Sequence, residues 1–175
     1  SPLLFTNEYY QFDNTTPNII ESDLPITVVQ YFTTQNCAGN GSPYDPDMIV
    51  LNPVEQNISD VTLVSTNRLA GSVASHQHNL HVIMPNSGTG ISSFRFDGVV
   101  PATPWTIHPQ DPNYSYLYLN NISETYHTLT SDSGFNALAY GYADFETYGY
   151  SAGTNVRDLN QQLEISSTNG IETTP

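Results

Sequence analysis

The sequence predicts an all-β fold, an antiparallel β-sandwich of about nine strands in a single domain. Three observations carry that expectation. Short runs rich in Val, Ile, Thr, Tyr and Phe recur between clusters of Gly, Pro, Asn and Asp, as strands separated by turns do. Phe94 and Phe96 alternate with Arg95 and Asp97, the two-residue period of a half-buried strand. A chain of 175 residues with 38% hydrophobic and 11% aromatic residues can bury one sizeable core.

Taken in order, the expected strands are Ile26 to Phe32, Met48 to Leu51, Val61 to Thr66, Leu80 to Met84 and Ser92 to Asp97, then Tyr114 to Leu119, Tyr126 to Thr130, Phe135 to Tyr142 and Glu146 to Tyr150. The segment Ala38-Gly39-Asn40-Gly41-Ser42-Pro43 reads as an exposed loop, because Gly and Asn tolerate positive φ. Asp132-Ser133-Gly134 reads as an exposed hairpin turn between two strands, since its flanks do not suit a nucleophile elbow. No convincing helix is expected; helix-forming residues gather only in Asn155 to Ile165. The sandwich is assigned to residues 1–165, and the polar stretch 166–175, ending in Pro175, reads as a linker or the start of a next domain.

The charge excludes whole classes of partner. Asp and Glu total 17 against 3 arginines, Arg68, Arg95 and Arg157, with no lysine, for a net charge of −14. Nucleic-acid backbones and anionic membrane surfaces need clustered cations, so neither is an expected partner. Lysine chemistry, from Schiff bases to P-loop phosphate binding, is excluded too. No apolar run approaches the roughly 18 residues of a membrane span. The single cysteine, Cys37, cannot form an intramolecular disulfide and reads as a small buried hydrophobe. N-glycosylation triplets begin at Asn14, Asn40, Asn57, Asn113 and Asn121, close to what chance supplies in a chain this rich in Asn, Ser and Thr.

Three constellations could carry chemistry. His76 and His78 in His76-Gln77-His78-Asn79-Leu80-His81 would project from one face of a strand and could share a Zn²⁺ ion; His81 would fall on the other face unless a bulge intervenes. A third ligand would come from an acid, His108 or His127, and two exposed histidines at a strand entrance are the alternative. Asp45 and Asp47, as hard oxygen ligands on a loop, could hold Ca²⁺ or simply hydrogen-bond their own turn. Asp144 and Glu146 could form an acid pair across a glycosidic bond, though 17 acids make such pairs common by chance. Tyrosines form stripes at Tyr114, Tyr116 and Tyr118, at Tyr140 and Tyr142, and at Tyr148 and Tyr150. Such stripes either make a binding platform for a protein or glycan or brace the sheet as cross-strand pairs.

The segment Ser133-Gly134-Phe135-Asn136-Ala137-Leu138-Ala139-Tyr140-Gly141-Tyr142, continued by Glu146-Thr147-Tyr148-Gly149-Tyr150-Ser151-Ala152-Gly153-Thr154-Asn155, resembles the closing motif of the IgG Fc-binding protein N-terminal domain family. Asp47 to Gln56 resembles that family's central segment with Pro53-Val54-Glu55-Gln56, and Ile26 to Tyr31 its preceding strand. The resemblance covers roughly residues 20 to 160. It implies the bacterial branch of the family, found in large secreted Bacteroidota proteins with further sandwich domains and a type IX secretion signal.

The expected function is therefore a non-catalytic adhesion or recognition module, secreted or on the cell surface. Its partners would be an extracellular protein or glycan, bound through Tyr114, Tyr116, Tyr118, Tyr148 and Tyr150, and neighbouring domains of the same polypeptide. Two alternatives stand beside it: a spacer or self-associating subunit, and a hydrolase using a metal at His76 and His78. No cofactor is expected beyond the Ca²⁺ or Zn²⁺ considered above. A lysine-free anionic coat suits work outside the cell.

Overall fold

The computed structural model describes residues 8–13, 15–33, 45–67, 76–143 and 146–155. Among the described residues nine strands run in chain order: β1 (Val29–Tyr31), β2 (Met48–Val50), β3 (Ile58–Val64), β4 (Gln77–Pro85), β5 (Arg95–Phe96), β6 (Thr106–Ile107), β7 (Tyr114–Ile122), β8 (Tyr126–Ala143) and β9 (Glu146–Ser151). Helical structure among these residues is confined to a 3-10 turn at Val54–Gln56 and one turn of helix, α1, at Gly90–Ser93. All pairings are antiparallel. The nearly all-β, single-domain architecture is the one the strand pattern predicts.

The sandwich is organised by β8, which is 18 residues long and serves both layers. Its first half pairs with β3 and β5, and its second half with β4 and β9. β4 continues the second layer through β7 to β6. Between the halves the register against β3 shifts, with Ile58 opposite Phe135 and Asp60 opposite Thr130. The residues expected to form a hairpin turn, Asp132-Ser133-Gly134, lie in this irregularity, so the two expected strands are one. The polar groups released by the bulge find partners on α1, which removes the need for a turn. Ser131 Oγ donates to Gly90 O at 3.0 Å, and Asp132 N donates to Ser93 Oγ at 2.9 Å.

The core fills the space between the layers. Leu80, Val82 and Met84 of β4, Leu117 and Leu119 of β7, and Ala137 and Ala139 of β8 face Leu63, Phe94 and Leu129. Phe94 meets Trp105 and Phe135 edge-on, at 5.2 and 5.5 Å between centroids. Strand alternation then forces the intervening residues of β4, β7 and β8 onto the outer face of the second layer. A two-stranded ribbon, β1 with β2, closes the β9 side: buried Ile49 packs on Gly149, where a Cβ would lie 2.6 Å from Phe32 and 2.7 Å from Ile49.

Several boundaries differ from the expected ones. β1 is shorter than Ile26 to Phe32, β3 starts three residues early at Ile58, and Ser92 to Asp97 divides into α1 and a two-residue strand. β6 was not expected; two residues leave no period to read. Cys37, Arg68, Arg157, the glycine loop at Ala38 to Pro43, the helix-forming stretch beyond Asn155 and the polar tail at 166–175 lie outside the described residues.

Candidate functional site

The outer face of the second layer carries a continuous row of rings. In β7 the tyrosines Tyr114, Tyr116 and Tyr118 alternate with buried Ser115, Leu117 and Leu119, so all three lie on the outer side. Register places Tyr118 opposite His81 of β4, and β8 adds Tyr140 and Tyr142 on the same side. Ring centroids follow at 4.9 Å from Tyr116 to Tyr118, 4.0 Å from Tyr118 to His81 and 4.7 Å from His81 to Tyr140. Tyr140 then lies 5.3 Å from Tyr142, and Phe32 closes the row at 5.6 and 5.7 Å from these two. His108 extends the other end, 6.4 Å from Tyr116.

This face is uncharged, in contrast to the acidic coat. Burial pushes the His81 imidazolium pKa down to about 4, so the ring is neutral at pH 7. Burial, with Tyr142 and Tyr118 adding to it, raises the Tyr140 hydroxyl well above the usual phenol range. Tyr140 therefore stays protonated, and its hydroxyl shares a hydrogen bond with His81 Nε2 at 2.5 Å. Burial, and then Tyr116, raises the Tyr118 hydroxyl pKa as well, while the residue remains 40% exposed. The result is a rigid, neutral aromatic platform with hydroxyl tips, suited to stacking and hydrogen bonding rather than to proton transfer.

Tyr148 and Tyr150 do not join this platform. They lie opposite Gly141 and Ala139, on the side of the sheet that faces the core. Tyr150 ties β9 to the edge of β3, accepting from Val64 N at 3.1 Å and donating to Val64 O at 2.6 Å. Tyr148 fills the space left by Gly141, where a Cβ would clash with the edge of its ring, and its hydroxyl lies 2.7 Å from His78 Nδ1. The five tyrosines singled out in the sequence thus divide between two faces. His81, Tyr140, Tyr142 and Phe32 complete the platform instead. The parity of His81 against His78 was the readable signal; which strands lie side by side was not.

His76 and His78 are buried rather than exposed, at 6% and 2%. Their rings stack 5.8 Å apart at 17°. Burial, followed by the neighbouring His76, lowers the pKa of His78. His76 Nε2 lies 3.3 Å from Glu146 Oε2, within charge-pair distance but without hydrogen-bond geometry. The register of β4 on β8 is unbroken from Gln77 to Ile83, so His81 does face away from His78; the local bulge is on β7, at Asn121 with φ 55°.

The other two candidate ligands are engaged in structure. His127 bridges Asp97 Oδ2 at 2.7 Å and Ser123 O at 2.9 Å. His108 Nδ1 accepts from Gln110 N and Asp111 N in the turn before β7. Asp45 is exposed, and Asp47 Oδ1 accepts from Met48 N at 2.8 Å, at the start of its own strand. Asp144 lies outside the described residues. Among those residues, no group of three or more His, Cys, Asp and Glu side chains is placed to hold a metal ion.

Among the described residues no helix is long and apolar enough to cross a membrane. Comparison with curated proteins and with solved structures finds no match. A family model described as IgGFc binding protein matches residues 3–141, which takes in β1 through most of β8, the platform strands included, and stops before β9. The chain belongs to the IgG Fc-binding protein family.

Proposed function

We propose that the protein is a non-catalytic extracellular recognition module that binds a protein or glycan through the outer face of β7, β4 and β8. The observation that carries this reading is the neutral ring row from Tyr116 to Phe32, partly open to solvent at Tyr118 in a protein of net charge −14. Tyrosines supply large rigid contact area at low entropic cost, which is why they recur in recognition surfaces. Family membership supports binding over catalysis, and the groups on this face have their proton affinities pushed away from neutrality. Secretion or surface display, in the bacterial branch with type IX export, completes the reading.

The test is a binding screen of the full chain on immobilised IgG Fc and on a glycan array, beside Tyr116→Ala and Tyr118→Ala. Binding in one arm that falls at least tenfold in both variants, with melting temperatures unchanged, supports the platform. Blank screens in both arms, or binding that ignores both substitutions, overturn it.

A second reading, assembly with another copy or a neighbouring domain, rests on a different surface. The ribbon of β1 and β2 turns Tyr31, Met48 and Val50 outward at 67%, 55% and 51% exposure, an apolar patch on the far side from Ile49. Sedimentation that shows dimers abolished by Met48→Asp would favour this reading, and a monomer at all concentrations removes self-association.

A further inference from the structure

We propose that His76, His78 and Glu146 bind one divalent transition-metal ion of the Zn²⁺ class, at the end of the sandwich core away from the recognition face. The first reason is an accounting of polar atoms. Both nitrogens of His76, Nε2 of His78 and Oε2 of Glu146 are buried without a hydrogen-bond partner. Buried imidazole and carboxylate atoms left in this state are costly, and native proteins retain few of them. Here they come from His76 just before β4, His78 within it and Glu146 at the start of β9, with His76 Nε2 3.3 Å from Glu146 Oε2.

The second reason is the support behind His78. Tyr148 Oη lies 2.7 Å from His78 Nδ1 and fixes the orientation of that ring. With Nδ1–H donating to the Tyr148 oxygen, the Nε2 lone pair is free for a metal, the arrangement by which a hydroxyl or carboxylate fixes the tautomer of a ligating histidine. Two imidazoles and a carboxylate suit a borderline-soft ion; Ca²⁺ and Mg²⁺ prefer sets of oxygens. The third reason is access. A cleft of about 350 Å³ lined by His76, His78, Asn67, Asn121 and Glu124 leads from the surface to the two buried rings.

Binding requires a local closure. Two Zn–N bonds of about 2.1 Å put their nitrogens at most about 4.2 Å apart, so one ring of the stacked pair, 5.8 Å between centroids, must turn toward the other. His78 stays held by Tyr148, and rotation about χ2 of His76, whose two nitrogens have no hydrogen-bond partner, supplies this turn.

The experiment titrates the full chain with Zn²⁺ by calorimetry, and with Co²⁺ by visible absorption. It also follows imidazole nitrogen resonances of the wild-type protein by long-range ¹H–¹⁵N spectroscopy. One equivalent of Zn²⁺ is expected, moving the nitrogens of His76 and His78 and leaving His81, His108 and His127 in place. His78→Gln and Glu146→Gln should weaken binding at least tenfold, and Tyr148→Phe by a smaller factor with the fold retained. If these variants unfold, the wild-type nitrogen shifts decide alone. Failure to bind Zn²⁺, or shifts at histidines other than His76 and His78, overturns the proposal. The recognition face plays no part in this readout, so either result leaves the platform reading to its own test.

Discussion

His81 makes the protein acid-sensitive in a predictable way. Its pKa falls from 6.5 to about 4 on folding because the ring is buried between Tyr118 and Tyr140, so the unfolded chain binds the proton more readily than the folded one. Stability from this group is therefore full above pH 6.5 and is lost as pH falls from 6.5 toward 4. Linkage puts the loss at about 2.5 kcal/mol between pH values of about 7.5 and 4.5, with a ceiling of about 3 kcal/mol below the folded-state pKa. The perturbation is His81→Gln, which keeps a polar side chain beside Tyr140 and removes the titration. Urea unfolding of both proteins at the two pH values gives the four free energies, and comparing the two drops cancels the carboxylates they share. The wild type should lose about 2.5 kcal/mol more than the variant on acidification. Equal losses in the two proteins would refute the argument, as would a His81 resonance titrating near 6.5 in the folded state.

Three further outcomes follow from the same packing. Gly141→Ala should destabilise by about 1–3 kcal/mol in urea unfolding, because its methyl group would clash with the edge of the Tyr148 ring and displace the hydroxyl from His78. Asp97→Ala should cost about 1–3 kcal/mol, because Asp97 accepts from Thr128 N at 2.8 Å, pairs with His127 and holds φ 51°; Asp97→Asn, which tolerates that backbone and keeps an acceptor, should cost measurably less. Tyr150→Phe should lower stability by about 1 kcal/mol through its two bonds to Val64, and leave ligand binding at the outer face unchanged.

The local content of the fold was readable because strands announce themselves by short-range chemistry. The alternation of Tyr114, Tyr116 and Tyr118 with Ser115, Leu117 and Leu119 gives the faces of β7 before any partner is known. The glycines at 141 and 149 mark close approaches, although not what approaches them. The Asp132-Ser133-Gly134 segment misleads for a physical reason. Turn-forming residues and a bulge share the same local preferences, and the choice was made by Ser93 and Gly90, some forty residues away in sequence.

The site was legible only in part, since sequence gives a residue's parity along its own strand and not the strand beside it. Tyr116 and Tyr118 were marked as candidates, yet the neighbours that make them a platform come from β4 and β8 through register. Tyr148 and Tyr150 carry the same side chain in the same alternation, and tertiary structure turns them inward, one onto His78 and one onto the edge of β3.

What the amino-acid sequence determined by itself is an acidic, lysine-free, all-β domain of a recognisable family, because composition and two-residue periodicity are properties of the chain alone. What only the tertiary structure decided is which rings meet, which histidine nitrogens are buried without a hydrogen bond, and that one strand serves both layers. These depend on long-range register, where a shift of one residue exchanges the buried face for the exposed one.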